Sequence, residues 1–194
     1  MSEKRIVCRQ CGAQNRIPIE KPLANAKCGR CHAPLQDSAQ QPQKITLRCG
    51  KCHTKNRLPV DKIAGGAKCG RCSAPIRHTD LFHGRPVLVT GANFEQTVHR
   101  SPLPVLLYAW APWCSVCGGT GPMVDQLAME TKGKVRIGKI NIDANQALAD
   151  KFHILSVPAF LIFDAGQLKA HLPGAVPKHE LLLKLAPHTY GDPS

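Results

Sequence analysis

The chain has 194 residues, of which 43% are hydrophobic, and its formal net charge is +13. This length allows one core of ordinary size together with small additional modules. No apolar run approaches the roughly 18 residues needed to cross a bilayer, and the first residues lack the apolar segment of a secretory signal. We therefore expect a cytoplasmic protein that has no membrane partner.

Cysteine and positive charge are both concentrated in the first 80 residues. Eight of the ten cysteines lie there, and in a reducing compartment regularly spaced cysteines are metal ligands or catalytic groups more often than disulfides. The same segment has 16 Lys and Arg against 5 Asp and Glu, compared with 10 against 8 in the remainder, so the excess is +11 in front and +2 behind. Such an excess suggests nucleic acid or an acidic partner.

Residues 8–35 and 49–76 form a tandem repeat. The two copies align without a gap at a shift of 41 residues, and all four cysteines and the segment AKCGRC recur. Each copy reads C-x2-C-x16-C-x2-C, the spacing of a four-cysteine zinc ribbon, in which two tight turns present four sulfurs to one tetrahedral ion. We predict two zinc ions, whose ligands are Cys8, Cys11, Cys28 and Cys31 in the first copy and Cys49, Cys52, Cys69 and Cys72 in the second.

Other interpretations of this front segment are less favoured. The eight cysteines could be reduced thiols or disulfides in a disordered arm, but the regular repeat argues against it. His32 and His53 stand beside cysteines, yet four thiolates already complete a zinc site. The basic residues are expected to be a solvated surface rather than a nucleic-acid site, because the first aromatic ring other than histidine is Phe82 and bases need rings on which to stack.

The predicted domains are a first zinc ribbon at 1–36, a polar linker at 37–44, a second zinc ribbon at 45–80 and a larger domain at 81–190. In the larger domain, strands and helices alternate in the order β-α-β-α-β-α-β-β-α. The strands are predicted at 86–90, 105–110, 135–142, 158–163 and 167–172. Two helices are expected to begin at capping boxes, one formed by Asn93 with Gln96 and one by Asp143 with Gln146. This order predicts an α/β fold.

The motifs of residues 84–187 resemble the thioredoxin family. The matching segments are WAPWCxxC (110–117), Pro122, KINID (139–143), SVPAF (156–160), Gly166 and Gly174. With the preceding AKCGRC ribbon, the chain is similar to the zinc-binding thioredoxin 2 type, from which it departs by having two ribbons. The resemblance implies the thioredoxin fold, a mixed central sheet flanked by helices, and the activity of a protein-disulfide reductase.

Thiol–disulfide exchange requires one thiolate that attacks and a second thiol that releases the product. Cys114, at a helix N-terminus, is expected to be the nucleophile because the positive end of the helix dipole lowers the pKa of a thiol there. Cys117, one turn further on, is expected to resolve the mixed disulfide. The resemblance implies that Trp113 lines a substrate groove, that Pro158 is a cis-proline and that Val157 pairs its backbone with bound peptide. It also implies protein disulfides as substrates and a thioredoxin reductase as partner.

Several residues depart from the family pattern. Ser115 and Val116 replace the usual Gly-Pro between the cysteines, which alters thiolate stability and redox poise. Tyr108 stands where the family has a buried aspartate that helps move a proton from the second cysteine, and a phenol with a reference pKa of about 10 is neutral at pH 7. We therefore expect slow resolution by Cys117, and we expect Lys139 to lose its acidic partner.

Two other functions remain open at this point. The larger domain could be a scaffold without activity, with the basic ribbons as a docking module for nucleic acid or an acidic protein. The intact cysteine pair argues against this, because a scaffold does not need both thiols. Alternatively, the enzyme could carry the ribbons as a redox switch that releases zinc on oxidation.

Overall fold

The computed structural model describes residues 3–7, 13–18, 26–35, 44–63, 66–76 and 81–189. The chain divides into two compact units, Met1–Gln43 and Lys44–Ser194. The second repeat therefore shares a unit with the larger domain, and the boundary expected between residues 80 and 81 stays a prediction. Within the described ranges, no helix has the length and apolar character needed to span a bilayer.

The first unit contains an antiparallel hairpin of β1 (Glu3–Val7) and β2 (Gln14–Pro18). Its described buried core consists of Ile6, Ile17, Cys28 and Leu35.

The second repeat forms the same hairpin at the start of the second unit. It comprises β3 (Lys44–Arg48), β4 (Lys55–Pro59) and a single turn of helix, α1 (Val60–Ile63). An isolated bridge between Lys68 and Pro75 matches the bridge between Lys27 and Pro34 in the first copy. The two repeats thus share one backbone plan in the parts that the structure describes.

A five-stranded mixed sheet forms the centre of the second unit. Its strands are β5 (Val87–Leu88), β6 (Val105–Trp110), β7 (Arg136–Asn141), β8 (Ala159–Asp164) and β9 (Gln167–Pro173). The spatial order is β5-β7-β6-β8-β9, with β5 and β6 parallel to β7, and with β8 antiparallel to both β6 and β9. This sheet confirms the predicted α/β fold.

Helices cover both faces of the sheet. They are a π-helix at Glu95–His99, α2 (Ser115–Glu130), a 3-10 turn at Asp143–Asn145, α3 (Gln146–Lys151) and α4 (Lys178–Leu185). The apolar strand β6 is buried on both sides. Leu106 and Tyr108 join the cluster under α2 and α4, while Leu107 and Ala109 join the cluster on the other face. A continuously apolar strand therefore indicated its central position correctly.

Both predicted capping boxes are wrong. The Asn93 Oδ1 accepts a hydrogen bond from the backbone N–H of Thr90 at 2.9 Å, and its Nδ2 donates to the carbonyl of Leu88 at 2.9 Å, so Asn93 closes the preceding turn. Asp143 opens a 3-10 turn rather than capping α3, whose N-cap residue is Asn145. A local turn thus engages the Asn93 side chain, whereas the Asp143 carboxylate accepts a hydrogen bond from the distant Trp113 indole.

The turn between β8 and β9 consists of Ala165 and Gly166, whose φ angles are 54° and 75°. Two consecutive positive φ values are typical of a type I′ hairpin turn. A Cβ at Gly166 would lie 2.8 Å from the carbonyl oxygen of His99. The hairpin that the sequence predicts here is confirmed, and its tip packs closely on the end of the π-helix.

Candidate active site and metal centre

The cysteine pair lies where the central strand β6 gives way to α2. Cys114 is the N-cap residue of that helix and forms a disulfide with Cys117, with the two Cα atoms 5.3 Å apart. The backbone N–H of Cys117 points at the Cys114 sulfur, 3.2 Å away. Unpaired N–H groups and the positive end of the dipole at a helix N-terminus both stabilise a thiolate. The structure therefore brings the two predicted cysteines together at the N-terminus of α2.

The two sulfurs differ in their access to solvent. Cys114 is half-buried, whereas Cys117 is only 6% exposed and belongs to the core cluster under α2. Trp113 and Val116, which flank Cys114, are 66% and 55% exposed. A disulfide of another protein can therefore approach Cys114 but not Cys117.

The segment before β8 faces the cysteine pair. The carbonyl oxygen of Val157 lies 3.6 Å from the Cys114 sulfur, and the peptide bond between Val157 and Pro158 is cis. Leu155, two residues earlier, is 94% exposed. The structure thus places Val157 and Pro158 beside Cys114, and a strongly exposed leucine that the sequence analysis did not single out lies near them along the chain.

Trp113 is held by Asp143, a residue that the sequence pattern predicts as a helix cap. Its indole Nε1 donates a hydrogen bond to the Asp143 carboxylate at 3.2 Å, and Asp143 begins the 3-10 turn that follows β7. The motif KINID marks Asp143 in the sequence, but nothing in that motif reveals the indole as its partner. Trp110 packs against the core instead, and its buried Nε1 has no hydrogen-bond partner among the described residues.

Tyr108 lies beneath Cys117. Its side chain is buried, and its hydroxyl donates a hydrogen bond to the carbonyl oxygen of Cys117 at 3.0 Å. Burial raises the pKa of the phenol above its usual value, so Tyr108 is neutral at pH 7. Lys139, opposite Tyr108 in the β6–β7 register, bonds the Asp125 carboxylate at 2.6 Å. The expectation that Lys139 has no acidic partner is therefore wrong, because α2 supplies one.

The four cysteines of the second repeat converge. The sulfurs of Cys49, Cys52, Cys69 and Cys72 all lie within 4.8 Å of one another. The separations are 3.5 Å between Cys49 and Cys72 and 3.6 Å between Cys52 and Cys69. Four sulfurs around zinc, each about 2.3 Å from the ion in a tetrahedron, are roughly 3.8 Å apart. The donor set and its dimensions therefore fit a structural zinc ion.

Backbone and side-chain N–H groups surround these sulfurs. Arg71 N donates to the Cys69 sulfur at 3.4 Å, and the Asn56 amide donates to the same sulfur at 3.7 Å while its oxygen accepts from Gly70 N at 2.9 Å. A hydrogen bond to the Thr54 hydroxyl is the main cause that lowers the pKa of Cys52 to about 6. The pKa of Cys69 is also lowered, chiefly by the backbone N–H groups of Cys72 and Arg71. Although the backbone N–H of Ala74 lowers it, the Cys52 thiol and burial raise the pKa of Cys72 to about 12. Cys52 and Cys69 therefore favour the thiolate, the form that binds metal, and Cys72 does not.

In the residues that the structure describes, the first repeat has the same arrangement of N–H groups around a cysteine sulfur. Arg30 N donates to the Cys28 sulfur at 3.4 Å, and Asn15 donates to the same sulfur at 3.6 Å and accepts from Gly29 N at 2.9 Å. Cys31 is also described, whereas the predicted ligands Cys8 and Cys11 lie outside the described residues. Asn15 and Asn56 were missed in the sequence analysis, although their identity at matching positions of the two copies is a usable signal.

The histidines next to the cysteines are not part of the described thiol cluster. His32 and His53 follow the second cysteine of a pair and adopt φ angles of 57° and 55°, and Ser73 has 57° at the third such position. Each closes a turn whose N–H returns to a cysteine carbonyl, as for His53 on Cys49 at 2.9 Å. The cluster of potential metal ligands in the described residues contains cysteines alone.

A reactive cysteine pair on this fold defines the class of the protein as a thiol–disulfide oxidoreductase. The thioredoxin family model matches residues 85–186, and the model of the thioredoxin 2 N-terminal zinc ribbon matches residues 7–33 and 48–74. Since the first match covers more than half of the chain, the chain belongs to the thioredoxin family.

Individual relatives agree with this. A thioredoxin of Haemophilus influenzae is 44% identical over 93 residues, 48% of this chain and 87% of the relative. Thioredoxin 1 of a Nostoc species is 41% identical over 100 residues, 52% of this chain and 94% of the relative. A solved structure, a mutant thioredoxin from Halobacterium salinarum, is 28% identical with a TM-score of 0.51, covering 58% of this chain and 97% of its own. These similarities support a protein-disulfide reductase as the enzyme class.

Proposed function

We propose that this protein reduces disulfides of other proteins, with Cys114 as the nucleophile and Cys117 as the resolving thiol. The observation that carries the proposal is the position of Cys114, accessible at the N-terminus of α2 with Cys117 buried one turn behind it. The cis peptide at Pro158 and the Val157 carbonyl beside Cys114 support a peptide-binding groove. The exposed Trp113 offers such a peptide an apolar wall.

The reaction proceeds in two exchanges. The Cys114 thiolate attacks one sulfur of the substrate disulfide, which breaks that S–S bond, forms a mixed disulfide and releases the other substrate sulfur as a thiolate that takes up a proton. Cys117, after losing its proton, attacks the Cys114 sulfur and releases the second substrate thiol. The substrate gains two electrons and two protons, and the enzyme is left with the Cys114–Cys117 disulfide. A thioredoxin reductase is the proposed donor that reduces this disulfide again.

The other eight cysteines are proposed to hold two structural zinc ions, one in each repeat. When bound, zinc supplies a cross-link between the two cysteine turns of a ribbon and stabilises the folded module. Support for the second site is the convergence of its four sulfurs. Support for the first is the match of Asn15 and Cys28 to Asn56 and Cys69. The reducing cytoplasm remains the proposed location, because it keeps such thiols available for metal.

The second ribbon lies at the far end of β6 from the cysteine pair. Arg48 N donates to the carbonyl of Pro102, just before β6, whereas Cys114 follows the end of that strand. A six-residue strand spans roughly 17 Å. The thiols of the second ribbon are therefore not within reach of Cys114 for direct exchange, and a redox switch in that ribbon requires an external oxidant. Zinc content before and after peroxide treatment tests that alternative.

The test of the proposed function is insulin-disulfide reduction with NADPH and thioredoxin reductase. We expect wild-type protein to be active and Cys114→Ser to be inactive, while Cys117→Ser accumulates a mixed disulfide visible by mass spectrometry. Lys44→Val, a change on an exposed residue of the second ribbon, serves as the control that keeps full activity. Equal activity of wild type and Cys114→Ser excludes the proposed mechanism.

A further inference from the structure

The side chain of Arg48 joins the second ribbon to the larger domain. Its Nε and Nη2 donate to the two carboxylate oxygens of Asp164 at 2.9 and 3.0 Å, and its Nη1 donates to the carbonyl of His53 at 3.0 Å. The two charged side chains are only 15% and 10% exposed. A bidentate pair with this burial is both directional and costly to break. Arg48 therefore ties a cysteine turn of the ribbon to the end of β8.

The backbone of the ribbon also approaches the domain closely at Gly50. A Cβ at this position would lie 2.9 Å from the carbonyl oxygen of Arg100 and 3.2 Å from its Cβ. Any larger residue would push the cysteine turn away from the end of the π-helix. Buried Leu47 and Ile76 complete the contact in one apolar cluster with Leu103, the residue that precedes β6 by two positions.

The first repeat lacks both of these features. At the shift of 41 residues that aligns the copies, Val7 corresponds to Arg48 and Arg9 corresponds to Gly50. Valine cannot bond a carboxylate, and arginine cannot fit where a single Cβ already meets backbone. The residues that hold metal recur in both copies, whereas Arg48 and Gly50 occur in the second alone.

Arg48 and Gly50 stand on either side of Cys49, one of the four converging thiols. The same cysteine turn thus carries a metal ligand, the ion pair with the domain and the close backbone contact. An interaction that holds the Cys49 turn in place also holds the two neighbouring residues that contact the larger domain. A metal at the second site therefore stabilises more than its own ribbon.

We infer that the two repeats have different roles. The metal of the second ribbon is a structural component of the catalytic unit, coupled to it through Arg48, and its loss destabilises the thioredoxin-like domain. The first repeat has neither an arginine at the position of Arg48 nor a glycine at that of Gly50, so loss of its metal is not transmitted through this contact. This inference rests on the proposed zinc sites and goes beyond them, since it assigns an effect on the catalytic domain to one site only.

Matched cysteine variants in the full chain test this inference. Cys28→Ser and Cys69→Ser change equivalent, buried ligands of the two repeats, and each should lose one of two zinc ions by elemental analysis. Because both tryptophans, Trp110 and Trp113, lie in the larger domain, tryptophan fluorescence reports the unfolding of that domain. We expect Cys69→Ser to lower its thermal midpoint by roughly 5–10 °C and Cys28→Ser to leave it unchanged. Equal shifts in the two variants overturn the inference.

Variants of the contact itself cover the case in which Cys69→Ser does not fold. Arg48→Val and Gly50→Arg introduce residue types found in the first repeat, and both should keep two zinc ions while lowering the midpoint of the tryptophan signal. Lys44→Val on the same strand is the control that keeps wild-type stability. Two zinc ions with an unchanged midpoint in both variants contradict the coupling. Wild-type protein that binds no zinc contradicts the proposed metal sites instead, so the two failures are distinguishable.

Discussion

The hydroxyl of Tyr108 donates a hydrogen bond to the carbonyl oxygen of Cys117, so the first turn of α2 is anchored by a neutral group directly below the thiol proposed to resolve the mixed disulfide. A carboxylate at this position could accept the thiol proton, whereas a buried phenol with a raised pKa cannot. In the proposed mechanism, the second exchange therefore lacks an internal base at Tyr108.

Replacement of Tyr108 by Asp should shorten the lifetime of the mixed disulfide by about tenfold or more, because general base assistance is worth at least that in comparable reactions. Stopped-flow measurement with a chromogenic disulfide substrate gives this lifetime directly. Tyr108→Phe is the matched control, since it removes the hydrogen bond without adding a base. A lifetime that is equal in the Asp and Phe variants contradicts the prediction.

The raised pKa of Tyr108 also predicts a loss of stability in alkaline solution. The folded pKa lies above the unfolded reference of about 10, so the neutral phenol contributes stability that is fully present below pH 10 and is lost as the pH rises through the folded value. The absorbance of tyrosinate is followed against pH. Wild-type protein should show one titration step above the ordinary pH range of tyrosine, and Tyr108→Phe should lack that step. The difference between wild type and Tyr108→Phe separates the step of Tyr108 from that of Tyr190, the second tyrosine of the chain. If the step that Tyr108→Phe removes lies at the ordinary pH of a tyrosine, burial does not perturb Tyr108.

Asp143→Ala should release the indole of Trp113 and weaken substrate binding. The hydrogen bond to Asp143 fixes an exposed ring whose position otherwise depends on packing, and a solvent-exposed hydrogen bond to a carboxylate is worth about 1 kcal/mol, or roughly fivefold in KM. Asp143→Asn keeps a hydrogen-bond acceptor and should therefore retain most of the substrate binding. Acrylamide quenching of tryptophan fluorescence in a Trp110→Phe background checks the mobility of Trp113 independently. If the Ala and Asn variants give identical quenching, the hydrogen bond to Asp143 does not hold the Trp113 indole in place.

Asn56→Ala should weaken zinc binding at the second site by roughly 10–100-fold, the usual cost of losing a residue that orients metal ligands. The amide bonds both the Cys69 sulfur and the Gly70 backbone, so its loss affects two contacts of one cysteine turn. Asn15→Ala is the matched variant in the first repeat and should weaken the other site by a similar factor. Competition against a chromogenic chelator resolves the two affinities. If both variants release zinc to the chelator as wild-type protein does, the assigned role of the two amides is contradicted.

The sequence pattern is sufficient for the order of strands and helices and for the position of the cysteine pair. Continuous burial of β6 is visible in the run VLLYAW, and the hairpin turn is visible in Asp164-Ala165-Gly166, because both depend on interactions that are local or on simple periodicity. The repeat spacing likewise predicts four converging sulfurs in the second ribbon, and the structure places them together.

Long-range partners could not be predicted in the same way. Arg48 and Asp164 are 116 residues apart in the chain, and one sequence holds no local signal that pairs them. Asp143 was interpreted as a helix cap because its spacing to Gln146 fits a capping box, but the tertiary structure gives its carboxylate to Trp113 instead. Lys139 similarly finds Asp125 once α2 packs on the sheet. Side chains of this kind are assigned by packing, which periodicity does not describe.

The direction in which β6 runs has a practical consequence for handling the protein. The ribbon contacts lie before the strand and the cysteine pair lies after it, so a bulky group attached at the exposed Lys44 leaves Cys114 unobstructed. Oriented immobilisation on a solid support through a single engineered linkage at that lysine should therefore give a surface on which every molecule presents its reactive end to the solution.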